Sequence, residues 1–187
     1  YYALLKWNPA ARFSVSGGLH LISTVAGANQ YTTRMFYGKI AYQKHLFDVS
    51  LSGSTYANNG SYNQAGFHAG ITIPQLNRFY LHSDLYYLAG AAGNNMVYNQ
   101  GVGFMPMKRL WLEVFSTEGK QQNFVDMNGV YIYNSGDYST FKTGGTLFYY
   151  LNNHIRLFGN YSYDTKYYNN NQFYPQHSIT GGIIWKL

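Results

Sequence analysis

Apolar and polar residues alternate along most of this chain, and clusters of turn-forming residues interrupt the alternation at intervals. A period of two is typical of β-strands that have one apolar and one polar face. The pattern therefore predicts strands of about 8–14 residues, a length that crosses a bilayer when the strand is tilted. The predicted strands are 1–7, 11–25, 31–43, 46–57, 61–73, 78–90, 95–106, 109–118, 138–151, 154–166 and 173–187.

The connections between these strands are alternately short and long. The short ones are Asn8–Ala11, Lys44–His45, Pro74–Asn77, Pro106–Lys108 and Asn152–His154. The long ones are rich in Asn, Gly and Tyr and comprise Ala26–Gln30, Ala57–Gly60, Ala91–Asn95, Glu118–Asp137 and Lys166–Gln176. Short turns on one side of a membrane and longer loops on the other are typical of outer-membrane β-barrels.

The end of the chain carries a second signal of the same kind. Trp185 and Leu187 are two residues apart and share a strand face, with Gly182 three positions before Trp185 and Thr180 two positions before that glycine. This arrangement resembles the C-terminal assembly signal of bacterial outer-membrane β-barrel proteins. The resemblance implies a location in the outer membrane of a Gram-negative bacterium, contact with its lipid, and recognition by the barrel-assembly machinery.

Composition is consistent with such a protein. Aromatic residues make up 19% of the chain and charged residues only 11%, whereas about a quarter of the residues of a soluble domain are charged. The mean hydropathy of −0.29 fits a barrel because half of each strand faces a polar interior. No apolar run is long enough for a transmembrane helix. We therefore predict an all-β fold, a transmembrane antiparallel up-and-down β-barrel, with residues 1–187 as a single domain.

The number of strands follows from where the chain ends lie. Asn8–Ala11 is one of the short, periplasmic turns, so residues 1–7 descend toward the side on which the C-terminus also lies. Since a single-chain barrel with both ends on one side needs an even number of strands, eleven predicted strands imply a missing one before Tyr1 and twelve in total. If residues 1–10 are instead a periplasmic lead-in, ten strands are expected.

Residue parity predicts which side chains face lipid and which face the interior. The predicted lipid-facing residues are Phe13, Val15, Leu19, Leu21, Phe36, Ile40, Tyr42, Phe47, Val49, Leu51, Phe67, Ala69, Ile71, Ile73, Phe79, Leu81, Leu85, Tyr87, Leu110, Leu112, Val114, Leu147, Tyr149, Leu151, Leu157, Tyr161, Tyr163, Ile179, Ile183, Trp185 and Leu187. The predicted interior residues are Ser14, Ser16, His20, Lys39, Gln43, Asp48, Gln64, His68, His82, Asp84, Glu113, Lys142, Arg156, Asp164 and Lys186. A soluble β-sandwich would instead place its charges on the larger, exposed face.

Two interior ion pairs are predicted from hairpin register. If Lys44–His45 is a two-residue turn, Gln43 faces Leu46, and Lys39 lies diagonal to Asp48. The later Asn152–His154 turn places Lys142 opposite Asp164 by the same reasoning. Pairs of mixed sign argue against strong ion selectivity and favour a lumen partly filled by paired side chains.

A polar cluster of His68, His82 and Asp84 is also predicted, with His68 beside either of the other two depending on register. Such a group offers ligands for a divalent metal or a proton relay, but a hydrogen-bonded lumen network is the favoured interpretation, and no metal or cofactor is predicted. The series His82-Ser83-Asp84 has the residue types of a hydrolase triad, yet Ser83 has the opposite parity. The sequence has no cysteine and no nucleic-acid-binding pattern.

The long loop 118–137 is the least regular part of the sequence, because it contains an apolar run over residues 124–133. It is expected to extend the flanking strands, to fold inward as a constriction, or to dock another outer-membrane protein or a glycan, as the Tyr- and Asn-rich loop 166–176 could also do. The predicted function is a non-catalytic, porin-like channel whose access is controlled by this loop. A scaffold subunit of a larger outer-membrane complex and an outer-membrane hydrolase or acyl-modifying enzyme are the alternatives.

Overall fold

A computed structural model describes residues 1–26, 29–58, 60–74, 78–90, 93–126, 129, 132–133, 137–168 and 172–185. These residues form thirteen β-strands. They are β1 (Tyr2–Ala10), β2 (Phe13–Ala26), β3 (Asn29–Lys44), β4 (Phe47–Asn58), β5 (Gly60–Ile73), β6 (Phe79–Gly90), β7 (Gly93–Met107), β8 (Leu110–Gln121), β9 (Phe124–Val125), β10 (Ile132–Tyr133), β11 (Tyr138–Tyr150), β12 (Ile155–Tyr168) and β13 (Gln172–Trp185). Among the described residues, no helix is long and apolar enough to span a membrane.

Eleven of the strands form one sheet in which each strand lies next to its neighbour in sequence, in the order β1 to β8 followed by β11, β12 and β13. The short strands β9 and β10 pair only with each other, as a separate two-stranded sheet. This up-and-down arrangement confirms the all-β, antiparallel fold predicted from the alternation, and each of the eleven sheet strands matches one predicted segment.

The strand ends differ from prediction where proline lies near a turn. β1 continues to Ala10 and β7 to Met107, although Pro9 and Pro106 were assigned to turns. In both strands the ladder is irregular at the proline, between Trp7 and Ala10 and between Phe104 and Met107. A bulge accommodates proline because the unpaired position there needs no backbone N–H. Residues 2–10 therefore pair with β2 and are not a lead-in segment.

The turn between β3 and β4 is also one residue later than predicted. Lys44 pairs with Phe47, so the turn consists of His45 and Leu46, and Gln43 faces Asp48 rather than Leu46. His45 has a φ of 50°, the left-handed conformation that two-residue hairpin turns require. The predicted register was wrong because neither residue is a glycine or asparagine, the usual sequence signals for such a turn.

The chain divides into two compact units, Tyr1–Ala69, Asp84–Val97 and Gln122–Ser135 in the first and Gly70–Ser83, Tyr98–Gln121 and Gly136–Leu187 in the second. In the first unit, alternate residues of β3 and β4 are buried and exposed in turn. The exposed set is apolar and includes Phe13, Val15, Phe36, Ile40, Phe47, Val49, Leu51, Phe67, Leu85 and Tyr87. The buried set includes His20, Thr33, Ser50, Gln64 and Asp84. The predicted faces are confirmed at these positions.

The second unit has the same inverted arrangement. Ile183 and Trp185 are 69% and 71% exposed, whereas Asp164 and Ser162 are buried. Other exposed apolar residues of this unit are Leu81, Val114, Leu147, Tyr149, Leu151, Leu157, Tyr161 and Ile179. A water-soluble protein does not expose a contiguous apolar surface of this kind. The apolar face therefore belongs against hydrocarbon, and the polar face away from it.

This assignment predicts opposite outcomes for arginine at two adjacent positions of β8. Val114 is 56% exposed on the apolar face, so Val114→Arg is expected to destabilise the folded protein in a bilayer by about 2–4 kcal/mol. Glu113 lies on the polar face and is already charged, so Glu113→Arg is expected to change stability by less than half as much. Urea unfolding in lipid vesicles, followed by tryptophan fluorescence, measures both. Equal losses for the two variants would overturn the face assignment.

Candidate functional site

The β9–β10 hairpin packs on the polar face of the first unit. Phe124 and Val125, the two residues of β9, are 5% and 0% exposed. Phe124 belongs to a buried cluster with Tyr86, Leu88 and Val97, and its ring meets that of Tyr86 edge-on at 4.8 Å between centroids. Two adjacent apolar residues of the long loop thus bury large aromatic and aliphatic area on a face that is otherwise polar.

Val125 belongs to a second buried cluster, which includes Met35, Tyr37 and Tyr56, with Tyr62 packed against it. These partners come from β3, β4 and β5. Residues 118–121 of the loop extend β8, where Glu118 pairs with Phe141 and Gln121 with Ser139, whereas residues 124–125 pack on the polar face. At residues 124–126 the loop takes the inward course that was one of the three expectations for it, because its apolar side chains find a receiving surface of tyrosine and methionine.

A single side chain fixes the backbone of β9. The Nε2 of Gln64 donates to the Val125 carbonyl at 2.6 Å, and the Val125 N–H donates to the Oε1 of Gln64 at 3.0 Å. The two bonds satisfy both backbone polar groups of a fully buried residue, in the way that a neighbouring strand would. Gln64 itself is buried on β5, so the amide is held rigidly by its own strand.

The hairpin is fixed at a second point by Gly129. The His20 Nε2 lies 2.6 Å from the Gly129 carbonyl oxygen, and Gly129 has a φ of 70°. A Cβ at this position would lie 2.5 Å from a ring carbon of Tyr37. Glycine is therefore required here both by the left-handed backbone and by the close approach to the aromatic ring.

A charged group lies on the same face, centred on His68 of β5. The His68 Nε2 is 2.6 Å from the Oδ2 of Asp48 on β4, and its Nδ1 is hydrogen-bonded to the Oδ1 of Asp84 on β6. The Asp84 side chain is buried, that of His68 is 13% exposed and that of Asp48 is about one quarter exposed. Both ring nitrogens are occupied by carboxylates, which favours a hydrogen-bonded network over a set of metal ligands.

Lys39 contributes positive charge to this region, and Lys6 lies close enough to repel it. Lys39 lies on β3 opposite Ser52, and the carboxylates that attract it are Asp84, Asp126 and, more weakly, Asp48. Asp126 directly follows β9, so the hairpin brings one more carboxylate to the group. The predicted diagonal placement of Lys39 and Asp48 was wrong, because the register puts Lys39 opposite Ser52 and Asp48 opposite Gln43; Asp48 has His68 as its hydrogen-bonded partner.

Four predicted interior residues with printed partners lie in the second unit: His82, Glu113, Lys142 and Asp164. His82 is 3.9 Å from the Oε1 of Glu113, and its ring fills the space over Gly101, where a Cβ would meet the His82 Nε2 at 2.2 Å. Lys142 is the direct cross-strand partner of Asp164, and Asp164 accepts a hydrogen bond from the hydroxyl of Ser139. His68 and Asp84 are therefore directly bonded within the first unit, and His82 has Glu113 as a partner in the second.

The residues of the proposed assembly signal lie on β13, except for Leu187, which is outside the described residues. Thr180 pairs with Asn160 and Gly182 with Phe158. A Cβ at position 182 would lie 2.7 Å from a ring carbon of Phe158, so the ring of the neighbouring strand accounts for the glycine. Trp185 is exposed on the apolar face. Recognition of these residues by an assembly machinery stays a prediction.

Sequence reasoning missed the residues that receive the hairpin. Tyr37, Tyr56 and Tyr86 were not assigned a role, because a tyrosine suits the membrane boundary, a polar face or a core equally well. The apolar run at 124–133 was the one signal that something must receive it. Gly129 was likewise not singled out, since its requirement arises from Tyr37, which is distant in sequence.

Comparison with solved structures identifies the fold. A crystal structure of the porin NanC matches this chain with a TM-score of 0.63 and 11% sequence identity, over 100% of this chain and 92% of NanC. No protein-family model and no curated protein sequence matches the chain. Together with the exposed apolar face, the likeness shows the fold of a transmembrane antiparallel up-and-down β-barrel.

The Gln64 bonds predict how the hairpin can be released without disturbing the sheet. Gln64→Met keeps the side-chain length but leaves the buried N–H and carbonyl of Val125 unpaired, at about 1–3 kcal/mol for each group. We expect amide hydrogen exchange over residues 122–135 to accelerate strongly while β2 to β4 stay protected. The matched control is Asn63→Met, an exposed position on the opposite face of β5. Unchanged exchange in Gln64→Met would show that Gln64 does not hold the hairpin.

The His68 network predicts an order of stability losses. His68→Ala removes the hydrogen-bond partner of the buried Asp84 carboxylate and is expected to cost about 3–5 kcal/mol. Asp48→Ala is expected to cost less, because Asp48 is more exposed and His68 keeps Asp84 as a partner. The double variant His68→Ala/Asp84→Ala is expected to be more stable than the sum of its two single losses indicates. Unfolding by urea in vesicles measures this coupling, and strict additivity would contradict it.

Proposed function

We propose that this protein is a non-catalytic channel of the bacterial outer membrane, which lets small hydrophilic solutes pass and in which the β9–β10 hairpin limits access. The observation that carries the proposal is the hairpin itself, seated on the polar face by Gln64 and His20. In a porin-type barrel the polar face surrounds the lumen. A segment held there reduces the cross-section available to solutes.

The charges of the polar face support a channel with weak ion selectivity. In the first unit, Asp48, Asp84 and Asp126 are accompanied by Lys39 and His68. In the second, Lys142 faces Asp164. Strong selectivity for one sign of ion requires a ring of like charges. Charges of both signs in contact favour the passage of solutes by size and polarity.

The hairpin also predicts a conductance change from one small substitution. Gly129→Ala adds a methyl group where the Tyr37 ring lies 2.5 Å away. We therefore expect the hairpin to be displaced from the polar face. We expect the single-channel conductance in planar bilayers to rise, because a larger cross-section carries more ions. An absence of channels in the unmodified protein would overturn the proposed function.

The matched control for this experiment is Gly93→Ala. Gly93 also has a positive φ, 105°, but no atom lies within 4 Å of a Cβ built there. Both variants place alanine at a positive φ, with more backbone strain at position 93 than at position 129, and only Gly129→Ala carries the clash with Tyr37. A rise of conductance in both variants would attribute the effect to strain at the glycine rather than to displacement of the hairpin.

A further inference from the structure

Between Asp48 and Asn58, each alternate residue of β4, on the polar face, carries a hydroxyl group. These residues are Ser50, Ser52, Ser54 and Tyr56, here named the hydroxyl row. Alternate residues of a strand lie about 6.6–6.8 Å apart along it. The row therefore presents hydroxyls at regular steps along the strand, beginning at the His68 network and ending at the residue that packs against the β9–β10 hairpin.

Three members of the row have buried oxygens without a hydrogen-bond partner. Within the described part of the chain, the Oγ of Ser50, the Oγ of Ser54 and the hydroxyl of Tyr56 are buried and bond to nothing. Tyr56 is 2% exposed. Buried polar groups are nearly always paired, and leaving one unpaired costs about 1–3 kcal/mol. Each of these three unpaired groups lowers the stability of the state in which it is buried.

The β9–β10 hairpin covers the Tyr56 end of the hydroxyl row. Tyr56 shares its buried cluster with Val125, and Val125 is held by the two bonds to Gln64. When the hairpin leaves, Tyr56 loses its contact with Val125, and its hydroxyl gains access to water and solutes. The unpaired Tyr56 hydroxyl thus favours the state in which the hairpin is displaced.

The surroundings of Tyr56 are uncharged. A pocket beside it is lined by Tyr62, Gln64, Leu88, Asn95 and Gln122 among other residues. The cavity measures about 20 Å³, which is enough for one hydroxyl group. Amide and phenol groups around such a space provide both donors and acceptors without charge.

Hydroxyl groups are matched to the hydroxyl groups of a solute, because each can donate and accept. An anionic solute would require arginine or lysine side chains along its path. The row offers none, and Lys39, which lies opposite Ser52, is already attracted by Asp84 and Asp126. The chemistry of the path is therefore that of an uncharged, polyhydroxylated molecule.

We propose that the hydroxyl row of β4 is the binding track for neutral saccharides, which replace the missing partners of Ser50, Ser54 and Tyr56 when the β9–β10 hairpin is displaced. This inference rests on the proposed channel function and adds the substrate class to it. The solute passes from one hydroxyl to the next, each contact being weak enough to be released.

Accessibility of a single cysteine tests the track directly, because the chain has no cysteine of its own. Ser54→Cys is reconstituted in lipid vesicles and treated with a water-soluble thiol reagent. We expect modification, and we expect glucose to slow it several-fold. Glucuronate, which shares the ring hydroxyls of glucose but has a carboxylate in place of the 6-hydroxymethyl group, is not expected to slow it. A channel that conducts ions while Ser54→Cys stays unreactive, or reacts equally with and without glucose, overturns the proposal.

Two further cysteine variants serve as controls. Thr55→Cys lies on the opposite face of β4 and is expected to be unreactive toward a water-soluble reagent. Lys44→Cys is exposed at the end of β3 and is expected to react at the same rate with and without glucose. Protection of Lys44→Cys by glucose would show an effect on the reagent or the membrane and would remove the support for the track.

Tyr56→Phe removes one hydroxyl of the row and nothing else. The concentration of glucose that protects Ser54→Cys is expected to rise about three- to tenfold in the Tyr56→Phe background, the effect of one neutral hydrogen bond. Thermal stability is expected to stay equal or to increase, since an unpaired buried hydroxyl is removed. Unchanged protection overturns the role of Tyr56. Loss of ion conductance in the unmodified protein would instead reject the channel function.

Discussion

The whole structure depends on the exposed apolar face of the sheet. Because Leu51, Val114, Ile183 and their neighbours face outward, every polar side chain that the strands carry must lie on the other face. There, carboxylates, imidazoles, hydroxyls and amides are close together in a region of low dielectric constant, and each needs a partner. The bonds of His68 to Asp48 and Asp84 and of Ser139 to Asp164 are consequences of this confinement.

The β9–β10 hairpin uses the same confinement in a different way. It brings two apolar side chains to the polar face, where Tyr37, Tyr56 and Tyr86 supply ring surface for them. Its backbone must then find partners away from water, and Gln64 and His20 supply these. The seat therefore combines apolar contact with a few strong polar bonds. Loss of any one bond leaves a buried group unpaired, which is why release of the hairpin with an intact sheet is predicted.

The hydroxyl row stands apart because its partners are missing. Ser50, Ser54 and Tyr56 carry the cost of unpaired burial, whereas the charged groups beside them are fully engaged. Buried groups that stay unpaired at several positions of one strand lower stability, and such groups are often explained by function. A path for hydroxyl-bearing solutes supplies such an explanation, and it links the unpaired groups to the segment that covers them.

Sequence determined the strands and their faces, because the alternation of period two is a local property that the membrane enforces at nearly every position. The eleven sheet strands and the outward position of Trp185 follow from it. The exact ends did not, since the bulges at Pro9 and Pro106 and the turn at His45–Leu46 depend on which residues the partner strand offers. The sequence also placed His68 and Asp84 on one face, but not Asp48 beside them.

Only the tertiary structure decided what lies on the polar face of the first unit. Contacts between residues distant in the chain determine the course of residues 124–126. They also account for the two hydrogen bonds between Gln64 and Val125 and for the need for glycine at position 129. No local pattern distinguishes a tyrosine that receives a hairpin from one that lies at the membrane boundary. Alternation fixes the side of the sheet on which a residue lies, and packing fixes what it meets there.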